Sequence, residues 1–223
     1  MSSPARSSAA LVSPRKHRLP SEARKQHLIE EAIRLFAQRG FSGTRTKDIA
    51  AACGVSEGIL FHHFATKEDL YRAILESHAD EAGSKEFMEE LQRCAQAKDD
   101  RKLVKELLRH VLSSFRENAD FHRLMMYAWL EGHALADLAH QQFGLPVLGF
   151  MRSYIASRQR DGAFRAGDPT TLTMALFAPA LQFSMNKYIF GVEAFQQPDD
   201  PTVDQFAEFL LGGLQRPQKT GSK

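Results

Sequence analysis

Thr44 to Phe64 reads TRTKDIAAACGVSEGILFHHF, and this stretch decides the fold. Thr46 to Cys53 is expected to form a short helix with Ile49, Ala50 and Cys53 on its inner side. Gly54 lies four residues after Ala50 and can take the positive φ that turns the chain sharply. Ser56 is a suitable N-cap for a further helix running to about His63. Val55 and Leu60 fall where they would close a small core over Ile49. Ala50 is small enough to let a second helix approach closely. These are the requirements of a helix-turn-helix, whose second helix enters the major groove of DNA.

The flanking text is helical too. Leu28, Ile29, Ala32, Ile33, Leu35 and Phe36 form one apolar stripe from Ser21, and Gly40 is expected to stop that helix. Thr66-Lys67-Glu68-Asp69 has the form of a capping box with Asp in place of Glu, opening a helix that carries Leu70, Tyr71, Ile74 and Leu75. Further stripes follow. Leu103 to Phe115 is one, Leu124, Met125, Ala128 and Trp129 start another, Leu145 to Ile155 is a third, and Val203 to Leu214 ends the series. Gly167-Asp168-Pro169 marks a loop. Leu172 to Phe190 is apolar nearly all round and should be buried on more than one side. No strand run or internal repeat is found. The chain reads as all-α, with a three-helix N-terminal unit and a larger helical body.

Charge is divided unevenly along the 223 residues. Residues 1–47 carry ten Lys and Arg against three Asp and Glu; the remainder carries nineteen against twenty-four. A basic N-terminal end on a mildly acidic body points to a polyanionic partner, with nucleic acid the first choice. Residues 1–20 lack apolar periodicity and read as a disordered basic arm, with Arg15, Lys16 and Arg18 free to touch phosphates. Residues 216–223 read as a disordered tail. Two cysteines, Cys53 and Cys94, make neither a disulfide framework nor a cysteine-rich zinc site, so free thiols in a reducing, cytoplasmic setting are expected. No apolar run reaches the ~20 residues a bilayer needs, and no secretory leader is read. No membrane partner is expected.

The segment from Ser21 to about Leu75 resembles the TetR-type bacterial transcriptional regulators. The likeness is carried by Ala32-Ile33-Arg34-Leu35-Phe36, Gly40-Phe41-Ser42-Gly43-Thr44, Asp48-Ile49-Ala50, Gly54-Val55-Ser56, Gly58 to Phe64, and Lys67-Glu68-Asp69-Leu70. It implies a helix-turn-helix DNA-binding domain over 21–66 and a ligand-binding and dimerisation domain over 67–215. It implies DNA contacts from Thr46 and Lys47, from Ser56, Glu57, Gly58 and Ile59, and from Phe61, His62, His63 and Lys67; Arg45 and the basic arm are expected to add affinity. Two residues depart from the family pattern. Phe61 replaces a usual Tyr and loses a hydroxyl contact to phosphate. Glu57 stands where Lys or Arg is common, and phosphates repel it unless it accepts from a cytosine amine.

The resemblance also implies an effector pocket in the body, for a small apolar or amphipathic molecule. Candidates are Phe115, Met125, Tyr127, Trp129, Glu131, His133, Phe177, Gln182, Asn186 and Tyr188. Helices Pro146–Arg158 and Leu172–Phe190 are the candidate interface of a homodimer reading a palindromic operator. Repression, relieved when the effector shifts the helix starting at Lys67, is the expected mode of action. Neither catalytic residues nor a metal or cofactor site is assigned. Glu131-Gly132-His133 and His140 lack a nucleophile or cofactor motif beside them, and the adjacent His62 and His63 should point apart on a helix. The alternative is a helical protein-interaction module with a repurposed helix-turn-helix, which Glu57 and Phe61 favour and the basic end disfavours.

Overall fold

The computed structural model describes residues 20–81 and 84–215. The basic arm, apart from Pro20, and the C-terminal tail therefore lie outside the described residues. Among them, eleven α-helices carry the chain, and the one β-type contact is an isolated bridge between Phe164 and Gln215.

The first four helices are α1 (Ser21–Gly43), α2 (Thr46–Ala52), α3 (Glu57–His63) and α4 (Lys67–Glu81). Gly40 breaks α1, as its sequence position implied: its φ of 71° and ψ of 175° leave only a turn before Thr44. Thr44 is buried there and its hydroxyl donates to the Gly40 carbonyl at 2.8 Å. Gly54, at φ 64°, closes α2 in a Schellman turn. The Val55 amide reaches back to the Ala50 carbonyl and the Gly54 amide to that of Ala51, both at 3.0 Å. The capping box forms as read: the Thr66 amide donates to Asp69 at 3.1 Å and the Asp69 amide to the Thr66 hydroxyl at 3.0 Å. Ser56 stands at the N-cap of α3 with extended backbone, but its side chain caps nothing.

The body contains α5 (Ser84–Gln96), α6 (Asp100–Glu117), α7 (Ala119–Leu130), α8 (Ala134–Ala139), α9 (Leu145–Arg160), α10 (Pro169–Ser184) and α11 (Asp199–Leu214). The stripe through Leu124 and Trp129 starts a turn earlier than its apolar residues, at Ala119. Asp168-Pro169 ends a loop by starting α10. The Asp168 carboxylate accepts from the Thr171 amide at 2.7 Å, and Pro169 takes the first turn, where no amide is required. Two π-helical turns interrupt the pattern, His140–Gly144 ahead of α9 and Met185–Ile189 after α10.

Two apolar cores form, and they do not divide at residue 66. One joins α5, α6, α9, α10 and α11 around residues such as Leu107, Leu108, Ile155 and Val203. The other joins α1 to α4 with α7 and α8, so Phe121, Leu124 and Ala128 share a core with Phe36, Ile49, Leu60 and Tyr71. The helix-turn-helix is thus built onto α4 and α7. The α10 helix is not covered all round: Met174, Ala175, Ala178, Leu181 and Gln182 form an exposed stripe at helical spacing. Both cysteines are free, Cys94 buried and Cys53 half-buried. No helix among the described residues is long and apolar enough to cross a membrane.

Candidate nucleic-acid interface and body cavity

Leu60 and Phe64 anchor α3 in the core, and Ile49 and Ala50 anchor α2. That leaves the opening residues of both helices facing outward. Arg45, Lys47, Ser56, Glu57, Gly58, Phe61 and His62 are exposed, and Thr46, Ile59 and His63 are half-buried. The two helix starts meet: the Thr46 hydroxyl donates to the Glu57 carboxylate. The His62 and His63 rings lie edge to face with centroids 5.6 Å apart, closer than neighbours directed apart would be. Among the described residues no group of three His, Cys, Asp or Glu gathers as for a metal ion. Partial burial, with His62, Arg24 and Lys25 nearby, holds His63 below the usual imidazole pKa.

Lys67 turns inward. Its ammonium donates to the Phe41 carbonyl and sits 4.0 Å from the centroid of the Phe41 ring. Burial lowers its pKa. Lys67 therefore ties the start of α4 to the turn before α2, beside the first turns of α2 and α3.

The structure does not bring the ten effector candidates together. Tyr127, Glu131 and His133 pack against the helix-turn-helix. A Cβ on Gly40 would lie 2.4 Å from Glu131 Oε1 and 3.2 Å from Tyr127 Cδ1. The His133 ring is 4.4 Å from that of Phe41. Met125 joins the same core, and Trp129 is exposed with its ring edge toward His140. Phe177 packs on the body core; Gln182 is exposed and its carbonyl accepts from Asn186 at 2.9 Å. Tyr188 donates to Asp199 at 2.6 Å, within an ion cluster that includes Lys187 and Arg116.

Tyr188 and Tyr127 border separate open grooves, and Phe115 stacks on His122, which lines a partly open cavity in the body. This cavity of about 250 Å³ lies on the seam between the two cores. Its walls carry three histidines, each laid flat on a phenylalanine: His78 on Phe121, His110 on Phe87, and His122 on Phe115, with centroids 3.6–3.7 Å apart. Burial pushes the pKa of His78 and of His122 down to about 4 and lowers that of His110. Three uncharged imidazoles therefore line the space at neutral pH. Phe143, from the first π-helical turn, adds an aromatic edge over His78. Sequence reasoning missed these histidines, although a signal existed. His78 continues the stripe Tyr71, Ile74, Leu75, and His110 follows Leu107 by three.

Comparison with known proteins agrees with this architecture. Residues 28–74 match the sequence profile of the bacterial regulatory proteins of the tetR family. The chain is 37% identical over 103 residues to the HTH-type transcriptional regulator AcrR of Shigella flexneri, a stretch covering 45% of each. It is 40% identical over 58 residues to the HTH-type transcriptional repressor KstR2 of Mycobacterium tuberculosis, covering 26% of this chain and 29% of that one. The chain spans less than half the length of these curated relatives. Whole-chain likeness appears in solved structures. The ketosteroid transcriptional regulator KstR2 of Mycobacterium tuberculosis superposes with a TM-score of 0.64 at 18% identity, covering 87% of this chain and 96% of that one. HlyIIR, a hemolysin II transcriptional regulator, gives 0.64 at 16%, covering 89% and 100%. The fold is theirs, and the relatives are named as regulators rather than enzymes. Over its helix-turn-helix unit, residues 28–74, this chain is similar to the tetR family of bacterial regulatory proteins.

Proposed function

We propose that this chain is a cytoplasmic, ligand-responsive transcriptional regulator. It binds a palindromic DNA operator as a homodimer, represses, and is released by a small apolar or amphipathic effector. The carrying observation is the exposed face made by the first turns of α2 and α3, held outward by Leu60, Phe64, Ile49 and Ala50. Arg45, Thr46, Lys47, Ser56, Glu57, Gly58, Ile59, Phe61, His62 and His63 form that face, with Lys67 bracing it from behind.

The seam cavity supports the effector half of the reading. Its walls come from α4 through α7 and from α9, so a molecule bound there touches both cores. His78 sits at the far end of α4 from Lys67, and α7 runs from Phe121 at the cavity to the contact with Gly40. A ligand that fits one arrangement of these helices better than another moves the reader by that difference in affinity. The exposed stripe on α10, together with Leu145 at 47% exposure on α9, supports a second copy as its cover.

The test titrates purified protein into labelled DNA from upstream of its own gene, with shuffled competitor, across a salt series. Binding that survives competitor, with a steep salt slope from counterion release, supports the reading. Binding that vanishes equally on both DNAs, followed by random-sequence selection that returns no motif, overturns it.

A further inference from the structure

We propose that Glu57, oriented by Thr46, is a base-reading residue that selects a cytosine in each operator half-site. The inference rests on the DNA-binding reading above and adds a specificity to one position of it. Glu57 is the first residue of α3 and is exposed. Its carboxylate does not cap its own helix and, among the described residues, forms no ion pair; it accepts the Thr46 hydroxyl of α2. That bond commits the one proton of the hydroxyl. Phosphate oxygens only accept hydrogen bonds, so Thr46 in this geometry cannot donate to them and instead fixes the carboxylate.

One carboxylate oxygen is then held, and among the described residues the other has no donor. DNA must supply that donor if this face docks without a net repulsion. Phosphates and sugars of the duplex backbone offer none. In the major groove the exocyclic donors are cytosine N4 and adenine N6. Adenine sets its N7 acceptor beside N6, where it would oppose a carboxylate, whereas cytosine sets only a carbon-bound hydrogen beside N4. The complementary base is therefore cytosine. The same bond explains how an acidic residue stands beside Arg45 and Lys47: they answer phosphates, and Glu57 answers a base.

The experiment is random-sequence selection on full-length protein, run in parallel for wild type, Glu57→Ala, Glu57→Gln and Thr46→Val, with circular dichroism confirming equal helicity. Wild type should return a motif with cytosine favoured at one position per half-site by about tenfold or more. Glu57→Ala should return the same motif with that position flattened. Glu57→Gln should shift it toward adenine, which Gln pairs through N6 and N7. Thr46→Val should weaken the cytosine preference several-fold while leaving other positions alone. A Glu57→Ala motif identical at every position overturns the proposal, even if affinity falls, because Glu57 would then act only on the protein. A wild type that returns no motif fails earlier, on DNA reading itself, and removes both conclusions.

Discussion

Gly58 has room for a side chain and carries none. A Cβ there would meet only Ser56 Oγ, at 3.8 Å, and its backbone is not among the positive-φ glycines. Nothing inside the protein requires glycine at this point of α3, where it weakens the helix. Gly40 is the opposite case: its φ of 71° and the carboxylate of Glu131 both exclude a Cβ. The two glycines look alike in the sequence, because the neighbour that fills the space over Gly40 comes from ninety residues away. A glycine kept for an outside surface should be replaceable in the free protein and not in the complex. Gly58→Ala is expected to raise unfolding stability by about 0.5–1 kcal/mol, while operator affinity falls at least tenfold. Urea unfolding and gel-shift titration on the same preparation check both signs. An affinity that stays level would mean that the α3 backbone does not approach DNA.

Between elements, the least exposed ion pair among the described residues is one that no local pattern announces. Asp100, 8% exposed at the start of α6, accepts Arg158 Nε and Nη2 of α9, both at 2.8 Å, and the Tyr154 hydroxyl. Arg158 is held above its usual pKa mainly by this hydrogen-bonded carboxylate, and burial raises Tyr154. Removing Asp100 leaves a guanidinium with 12% side-chain exposure and, among the described residues, Asp161 as its one remaining carboxylate. Asp100→Ala is expected to cost about 3 kcal/mol, in the range for breaking a buried pair, read as a lowered urea midpoint. A loss below about 1 kcal/mol would place the pair in the class of exposed ion pairs. The helices themselves were legible because a 3.6-residue period is written locally, and the turn at Gly54 because four consecutive residues determine it. The Asp100–Arg158 joint spans 58 positions. The outward placement of Arg45, Lys47, Ser56 and Glu57 was legible for the same local reason, whereas the long-range packing of the body was not. Tyr127 and Glu131 were expected among pocket residues, and only the packing of α7 against α1 turns them toward Gly40 instead.

At the scale of the whole molecule, the seam between the two cores is where pH should act first. His78 and His122 keep a pKa near 4 in the folded chain because burial opposes their charged form. In the unfolded chain both return to about 6.5. Above 6.5 neither state is protonated and these groups leave stability unaffected. Between 6.5 and about 4 the unfolded chain takes up protons that the folded chain refuses, so stability falls as pH falls. The slope approaches about 1.4 kcal/mol per pH unit for each histidine. The carboxylates with lowered values act in a separate window. Asp161, held down by Lys98 and Arg158, and Asp168, held down by the Thr171 amide, lose their contributions as pH falls from the ordinary carboxylate range through their lowered values. Urea midpoints should therefore be level from pH 8 to 7, fall steeply from 6.5 to about 4, and fall further beyond. The double variant His78→Asn, His122→Asn is expected to start less stable at pH 7, since two ring stacks on Phe121 and Phe115 are lost. It should also show a much flatter profile down to about pH 4. An equally steep decline in the variant would mean that the proton uptake lies elsewhere. In that case the seam cavity is wet enough to charge its histidines, and below about pH 6.5 an effector entering it would meet cations.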